Sequence, residues 1–255
     1  TRDNEERPPI LYYSQSGDTL MVIAARFGVS IDEIKTQSEI SPRELIKPQT
    51  LLVLPDYYGF DIAADPVLPD SEIIYSPSAL DFDIEAFVAE AGGYLSTYRE
   101  YTGAGWMSGA EIIEKVATEE SINPRILIGL LEFQSGWVYG QPQNIFEKDY
   151  PMGFPIVDKK GLLKQISFGV KILANGYYGW REGRITEVVF SDGTQQRIHP
   201  KINAGSAALE HFFANFYDPA RWLSVLYGEG SFPTLYEQMF GSPWIRALTV
   251  EPLYS

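Results

Sequence analysis

The sequence predicts an α+β fold, in which a small βααβ unit precedes a mainly α-helical domain with one β-hairpin. Residues 11–55 contain a short apolar strand, a Gly-Asp-Thr turn, a helical period, a second capped helix and a closing strand. Beyond Ser78 the apolar residues recur at three- and four-residue spacing. With 255 residues and 45% hydrophobic content, the chain can bury a core in each of two domains.

The sequence predicts four segments along the chain. We expect a disordered N-terminus at residues 1–10, a compact module at 11–55, a linker at 56–78 and the helical domain at 79–255. The linker prediction rests on repeated Pro, Gly and acidic residues without a helical period, and its tyrosines and isoleucines suggest that it lies along a protein surface.

Local signals justify each element of the first module. Gly17 permits a tight turn between strand and helix, and Asp18 or Thr19 can accept hydrogen bonds from the first amides of that helix. Gly28 supplies a left-handed helix end, and Ser30 with Glu33 forms the pattern of a capping box for a second helix.

The segments Tyr12–Leu20, Ile23–Ser30 and Leu51–Pro55 together resemble a LysM module, a domain that binds chains of N-acetylglucosamine. The resemblance implies a shallow sugar groove between the loops Gly17–Leu20 and Pro42–Pro48. The glycan-binding residues that it implies are Gly17, Asp18, Thr19, Leu20, Leu45 and Ile46. Two positions depart from the family pattern: Gln37 stands where Asn is usual, and Gln49 stands where Gly is usual.

The helical domain shows start signals at Ser108 and Pro124, each followed by an apolar helical period. One interruption, residues 185–198, places an Asp-Gly turn between two β-rich segments and predicts a β-hairpin.

The run Asn123-Pro124, an apolar helix and Gln134-Ser135-Gly136-Trp137 resembles the catalytic segment of soluble lytic transglycosylases and goose-type lysozymes. Gly161 with Gln165, and then Asn203-Ala204-Gly205, follow in the order of two further motifs of those families. The resemblance implies a lysozyme-like domain that acts on the β-1,4 bonds of peptidoglycan.

The catalytic position departs from that pattern, because an amide at Gln134 cannot exchange the proton that a glycosidase acid must supply. Glu132 is the alternative acid. Two residues along a helix differ by about 200° in direction, so we expect only one of the two to face a cleft.

The remaining cleft is expected to be built from amides and aromatic rings, which sugar sites use for hydrogen bonding and stacking, although aromatic rings are also ordinary core material. The expected cleft residues are Gln134, Ser135, Trp137, Gln165, Tyr177, Tyr178, Trp180 and Asn203.

Charge and composition exclude several other classes. With 34 acidic against 20 basic residues the net charge is -14, so we expect no nucleic-acid partner. The absence of Cys and the two separate histidines predict no metal site, and we expect no cofactor. The apolar run Ile126–Leu131 is too short for a membrane span.

Two functions remain open at this stage. One is an extracytoplasmic enzyme that binds peptidoglycan, or another N-acetylglucosamine-containing glycan, and cleaves it with Glu132 as the acid. The other is a catalytically inactive wall-binding or scaffold protein, with protein partners in a surface assembly.

Overall fold

The computed structural model of the chain describes residues 7–59 and 65–250, and its buried apolar side chains form two clusters. The smaller cluster lies within the N-terminal module and includes Tyr12, Ile23, Phe27 and Leu52. The larger one fills the helical domain. The α+β fold class predicted from the sequence is confirmed.

The N-terminal module consists of β1 (Ile10–Tyr13), α1 (Leu20–Phe27) and β2 (Leu51–Leu54), with β1 antiparallel to β2. Helix α1 begins after Thr19, whose side chain accepts a hydrogen bond from the Val22 amide, and it ends at Gly28 in the left-handed conformation. The predicted second helix is a single 3-10 turn, Ile31–Glu33. The Ser30–Glu33 capping box forms, but the turn stops there because the backbone of Lys35 pairs with Val53 beside β2.

Twelve helices and six strands are found in the described part of the chain. In order, the elements of the second domain are α2 (Pro77–Leu80), α3 (Ile84–Ala91), α4 (Tyr94–Thr97), β3 (Arg99–Tyr101), β4 (Trp106–Ser108), α5 (Gly109–Glu119), α6 (Pro124–Ser135), α7 (Ile145–Asp149), α8 (Leu162–Arg181), β5 (Glu187–Val189), β6 (Gln195–Arg197), α9 (Ala204–Ala214), α10 (Pro219–Tyr227), α11 (Phe232–Phe240) and α12 (Pro243–Val250). The described residues of this domain also contain two 3-10 turns: Asp70–Glu72 precedes α2, and Val157–Lys159 lies between α7 and α8.

The segment predicted as a linker is only partly one. Leu68 and Ile73 are fully buried in the larger core, and Tyr75 donates its amide to the carbonyl of Ser121. Glu72 is also buried, accepting hydrogen bonds from Tyr236 and Arg246. The helical domain therefore begins before the predicted boundary at residue 79. Part of the predicted linker, residues 60–64, and most of the predicted disordered N-terminus, residues 1–6, lie outside the described residues.

Two hairpins occur in the described part of the helical domain, residues 65–250. The predicted one is β5–β6, with Val188 opposite Gln196. The other, β3–β4, was not predicted; its strands are three residues long and its connection, Thr102–Gly105, contains two glycines. A three-residue strand is too short to show a clear alternation of apolar and polar residues.

Helices α8 and α9 pack closely because of glycine. A Cβ at Gly176 would lie 3.0 Å from the Cα of Ala208, and one at Gly179 would lie 2.7 Å from the side chain of Ile185. Tyr177 and Trp180, which the sequence predicted as cleft residues, are therefore both buried in the core.

The N-terminal module rests on the C-terminal end of α8. The Arg26 guanidinium lies 4.8 Å from the centre of the Trp180 ring and donates to the Trp180 carbonyl. Arg197 donates to the carbonyls of Ala25 and Arg26 at the end of α1, where cations are favourable. Gln15 donates to the Lys201 carbonyl.

Candidate functional site

The two loops that the resemblance implies as the sugar site are joined by backbone hydrogen bonds. Met21 donates to the Pro42 carbonyl at 3.1 Å, and Ile46 donates to the Asp18 carbonyl at 2.9 Å. The loops Gly17–Leu20 and Pro42–Pro48 therefore form one continuous edge of the module.

Asp18 is the hub beneath that edge. Its carboxylate is 1% exposed, forms an ion pair with Arg26 at 2.8 Å, and accepts hydrogen bonds from the Tyr12 hydroxyl at 2.6 Å and the Gln15 amide at 2.8 Å. Burial, followed by the charge of Asp18, raises the pKa of Tyr12. Asp18 was predicted to contact glycan; its buried side chain instead fixes the loop from within.

The other predicted residues of this module divide by exposure. Leu20 and Ile46 are buried in the small core, so their side chains support the loops from below. Thr19 and Gly17 are partly exposed, and Leu45 is 71% exposed in the loop Pro42–Pro48. Gly17 has a φ of +87°, and a Cβ there would meet the guanidinium of Arg181. Only glycine satisfies both requirements without strain.

Next to these loops is an open groove of about 970 Å³, which is lined by Leu20 and by residues 34–41. Gln37, the position where the family usually has Asn, lies in this lining and is exposed. The groove was not predicted from the sequence, because the helix expected after Ser30 forms only as the 3-10 turn Ile31–Glu33 and residues 34–41 line the open groove instead.

Gln49 occupies the other departure from the family pattern. Its φ is +66°, in the left-handed region that glycine adopts without steric cost, and its amide donates to the Ser14 carbonyl at 2.8 Å. The backbone therefore keeps the conformation that a glycine would take.

In the helical domain, Glu132 and Gln134 both line a cleft of about 330 Å³, together with Ser135, Gln143 and Glu147. The expectation that only one of the pair could face a cleft is wrong, because this cleft surrounds the C-terminal end of α6 rather than one of its sides. Helix α6 ends at Gly136 in the left-handed conformation.

The predicted acid, Glu132, accepts hydrogen bonds from the protein's own backbone. One oxygen of Glu132 accepts hydrogen bonds from the amides of Val138 at 2.8 Å and Tyr139 at 3.1 Å. Glu147 likewise accepts from the Gln143 amide and the Asn144 side chain. The Nε2 atom of Gln134 is buried without a hydrogen-bond partner among the described residues. Both carboxylates therefore stabilise the turns that follow α6.

Most of the other predicted cleft residues are structural. Gln165, fully buried, donates to the carbonyls of Phe154 and Lys159 and so fixes the loop before α8. Trp137 is buried and donates to the Glu147 carbonyl, and Trp180 donates to the Ile202 carbonyl. These residues belong to the core, which is a correction to the cleft predicted from the sequence.

Of the remaining four, Asn203, Tyr177 and Tyr178 lie apart from the cleft, whereas Ser135 lines it. Asn203 precedes α9 and donates to Asp70 at 2.8 Å, and Tyr177 donates to the same carboxylate at 3.3 Å. Ser135 lines the cleft, but its hydroxyl donates to the Leu131 carbonyl. Tyr178 is 49% exposed on α8 and is not among the residues that line the cleft at the end of α6.

Within residues 7–59 and 65–250, His, Asp and Glu side chains do not cluster in threes in a way that could hold a metal ion. No helix in the same ranges has the length and apolar character needed to cross a membrane.

Comparisons with known proteins agree with the resemblance to LysM modules and assign the helical domain to a different family from the one that its motifs resemble. The LysM domain model matches residues 15–55, and the model described as LasA, N-terminal domain, matches residues 66–252. The match at residue 66 agrees with the early start of the helical core. The comparisons do not show the lysozyme-like or transglycosylase-like relationship that the motifs implied.

Two curated relatives are named Protease LasA, from two strains of Pseudomonas aeruginosa. Each is 25% identical over 178 residues, which cover 69% of this chain and 38% of the relative. The match thus spans well under half the length of these relatives. No solved structure matches the chain. The chain carries a LysM domain and belongs to the LasA N-terminal domain family.

Proposed function

We propose that this protein is an extracytoplasmic peptidoglycan-binding protein whose helical domain supports binding and does not cleave the glycan. A LysM domain supports binding of N-acetylglucosamine-containing glycans, and peptidoglycan is such a glycan outside the cytoplasm. The curated relatives are named as proteases, so the LysM module would attach a protease-related protein to the cell wall.

The joined loops of the LysM module carry the proposal. The Ile46–Asp18 and Met21–Pro42 hydrogen bonds fix the rim of the groove before any ligand arrives, which reduces the entropy that a ligand must lose in ordering the site. Leu45 at 71% exposure offers an apolar contact at that rim. The proposal against cleavage is supported by Glu132 and Glu147, whose oxygens already accept backbone hydrogen bonds.

Titration of the full chain with short chitooligosaccharides tests the binding. Leu45→Asp should weaken binding by about five- to thirtyfold, because a charge replaces an apolar contact worth about 1–2 kcal/mol. Leu80→Asp is the matched control, since Leu80 is 70% exposed on α2 in the helical domain. Equal affinities for Leu45→Asp and the unmodified chain, or no binding at millimolar sugar, would refute the proposed site.

A further inference from the structure

The hairpin β3–β4 carries two large aromatic rings in the solvent. Tyr101 is 61% and Trp106 is 68% exposed, and the two residues are directly opposite each other in the ladder. Their ring centroids are 5.9 Å apart at an angle of 66°. The two adjacent rings form a contiguous aromatic patch that a ligand can contact.

The opposite face of the hairpin is anchored, so the exposed pair is held in place. Glu100 points to the other side, where it accepts hydrogen bonds from the Tyr98 hydroxyl at 3.0 Å and the Leu163 amide at 3.2 Å. Met107, its partner in the ladder, packs on the larger core. The hairpin is thereby fixed to the N-terminal end of α8.

The exposed face continues from the rings into a polar pocket. Arg99 and Ser108 lie on the same face as Tyr101 and Trp106, because all four occupy directly opposed positions two residues apart along the strands. Both line a pocket of about 240 Å³, which they share with Glu85, Glu111 and Glu114. Flat rings beside charged and hydroxyl groups match a pyranose, which has apolar faces and a polar edge.

The size and surroundings of the ring pair favour a sugar over other occupants. The adjoining turn is Thr102–Gly105, and a Cβ at Gly103 or Gly105 would meet no atom within 4 Å, so the approach is open. The two partly exposed rings offer about 300 Å², which is less than the roughly 500 Å² that each partner buries in a small stable protein interface. The net charge of -14 opposes contact with an anionic lipid surface.

We propose that the outer face of this hairpin is a second saccharide-binding surface, which engages the same glycan chain as the LysM module. The inference rests on the proposed function. Helix α8 has 20 residues and so spans about 30 Å, with the hairpin fixed at its first turn and the LysM module at its last. A long glycan can reach both sites, whereas a short oligosaccharide occupies one of them.

Two-site attachment predicts an effect that depends on the length of the glycan. Trp106→Ala in the full chain should leave the affinity for short chitooligosaccharides at the LysM module unchanged. It should lower retention on purified, protein-free peptidoglycan sacculi by about tenfold or more, because the second contact acts at a high effective concentration once the first is made. Trp244→Ala is the control, since Trp244 is also exposed, at 41%, but lies on α12.

The outcomes separate this inference from the proposed function. If short oligosaccharides bind and Trp106→Ala retains its full attachment to sacculi, the second surface is refuted and the LysM assignment stands. If short oligosaccharides do not bind but retention still requires Trp106, the hairpin is a sugar site and the LysM assignment fails. An equal loss with Trp244→Ala would refute a specific role of the hairpin. Retention that depends on Trp106 only on sacculi with their proteins left in place, or on vesicles, would replace the sugar with a protein or a lipid surface.

Discussion

Replacing Gln49 by Gly should stabilise the LysM module. Gln49 has a φ of +66°, a conformation that costs an L-residue about 1–2 kcal/mol relative to glycine. Glycine in turn loses about 0.5–1 kcal/mol more conformational entropy on folding. The side chain of Gln49 is exposed and the backbone hydrogen bond to Ser14 is kept, so the net gain is about 0.5–1 kcal/mol.

Native-state hydrogen exchange of the β1 and β2 amides measures this gain, because it reports on the module separately from the helical domain. Arg43→Gly is the matched control. Arg43 is exposed in the same loop with a negative φ, so glycine there should destabilise the module by about 0.5–1 kcal/mol. If both variants destabilise the module alike, the strain at Gln49 is not real. Glycan affinity should stay unchanged in Gln49→Gly, since the backbone already has the conformation that glycine takes.

Three further predictions concern buried or replaced charges. Removing the cation in Arg26→Ala leaves the Asp18 carboxylate buried and unpaired, which should cost about 3–5 kcal/mol of module stability, measured by the same exchange experiment; a loss below 1 kcal/mol would contradict the buried ion pair. Burial raises the pKa of Glu210 to about 8 from a normal value of 4.5. The free energy of unfolding should therefore fall by up to about 5 kcal/mol as the pH rises from 4.5 to 8. Glu210→Gln, which can still accept a hydrogen bond from Tyr227, should abolish that fall in urea titrations at the two pH values. Incubation of sacculi with the unmodified chain should release no soluble muropeptides. Release by the unmodified chain that is lost in Glu132→Gln would establish the enzyme function instead.

The sequence was sufficient for the parts of the fold that depend on local chemistry. Three local signals take the predicted form: Gly28 at the end of α1, Pro124 at the start of α6 and the Asp192–Gly193 turn. The Ser30–Glu33 box also forms, although it caps a 3-10 turn instead of the predicted helix. These signals are local, so they can be read without knowing the tertiary structure.

The candidate site was harder to predict because burial depends on distant residues. The aromatic cluster around Tyr177 and Trp180 has the composition of a sugar cleft, yet packing of α8 on α9 and contact with residues 68–70 place both rings in the core. Asp18 is matched with Arg26 eight residues later, across a helix, and nothing in the spacing marks the pair. The exposed face of β3–β4 was missed because its two strands are too short to give a pattern.

The position of Arg26 has a consequence for any attempt to treat the LysM module as a portable unit. Its Nη1 forms the ion pair with the Asp18 carboxylate at the centre of the module, and the Trp180 ring of the helical domain lies against the guanidinium. Excision at residues 55–65 would leave a buried ion pair open to water on one side. Fusions or binding studies made with the excised module would therefore describe a less stable site than the one in the whole chain, and the shortest faithful unit for affinity measurements includes α8.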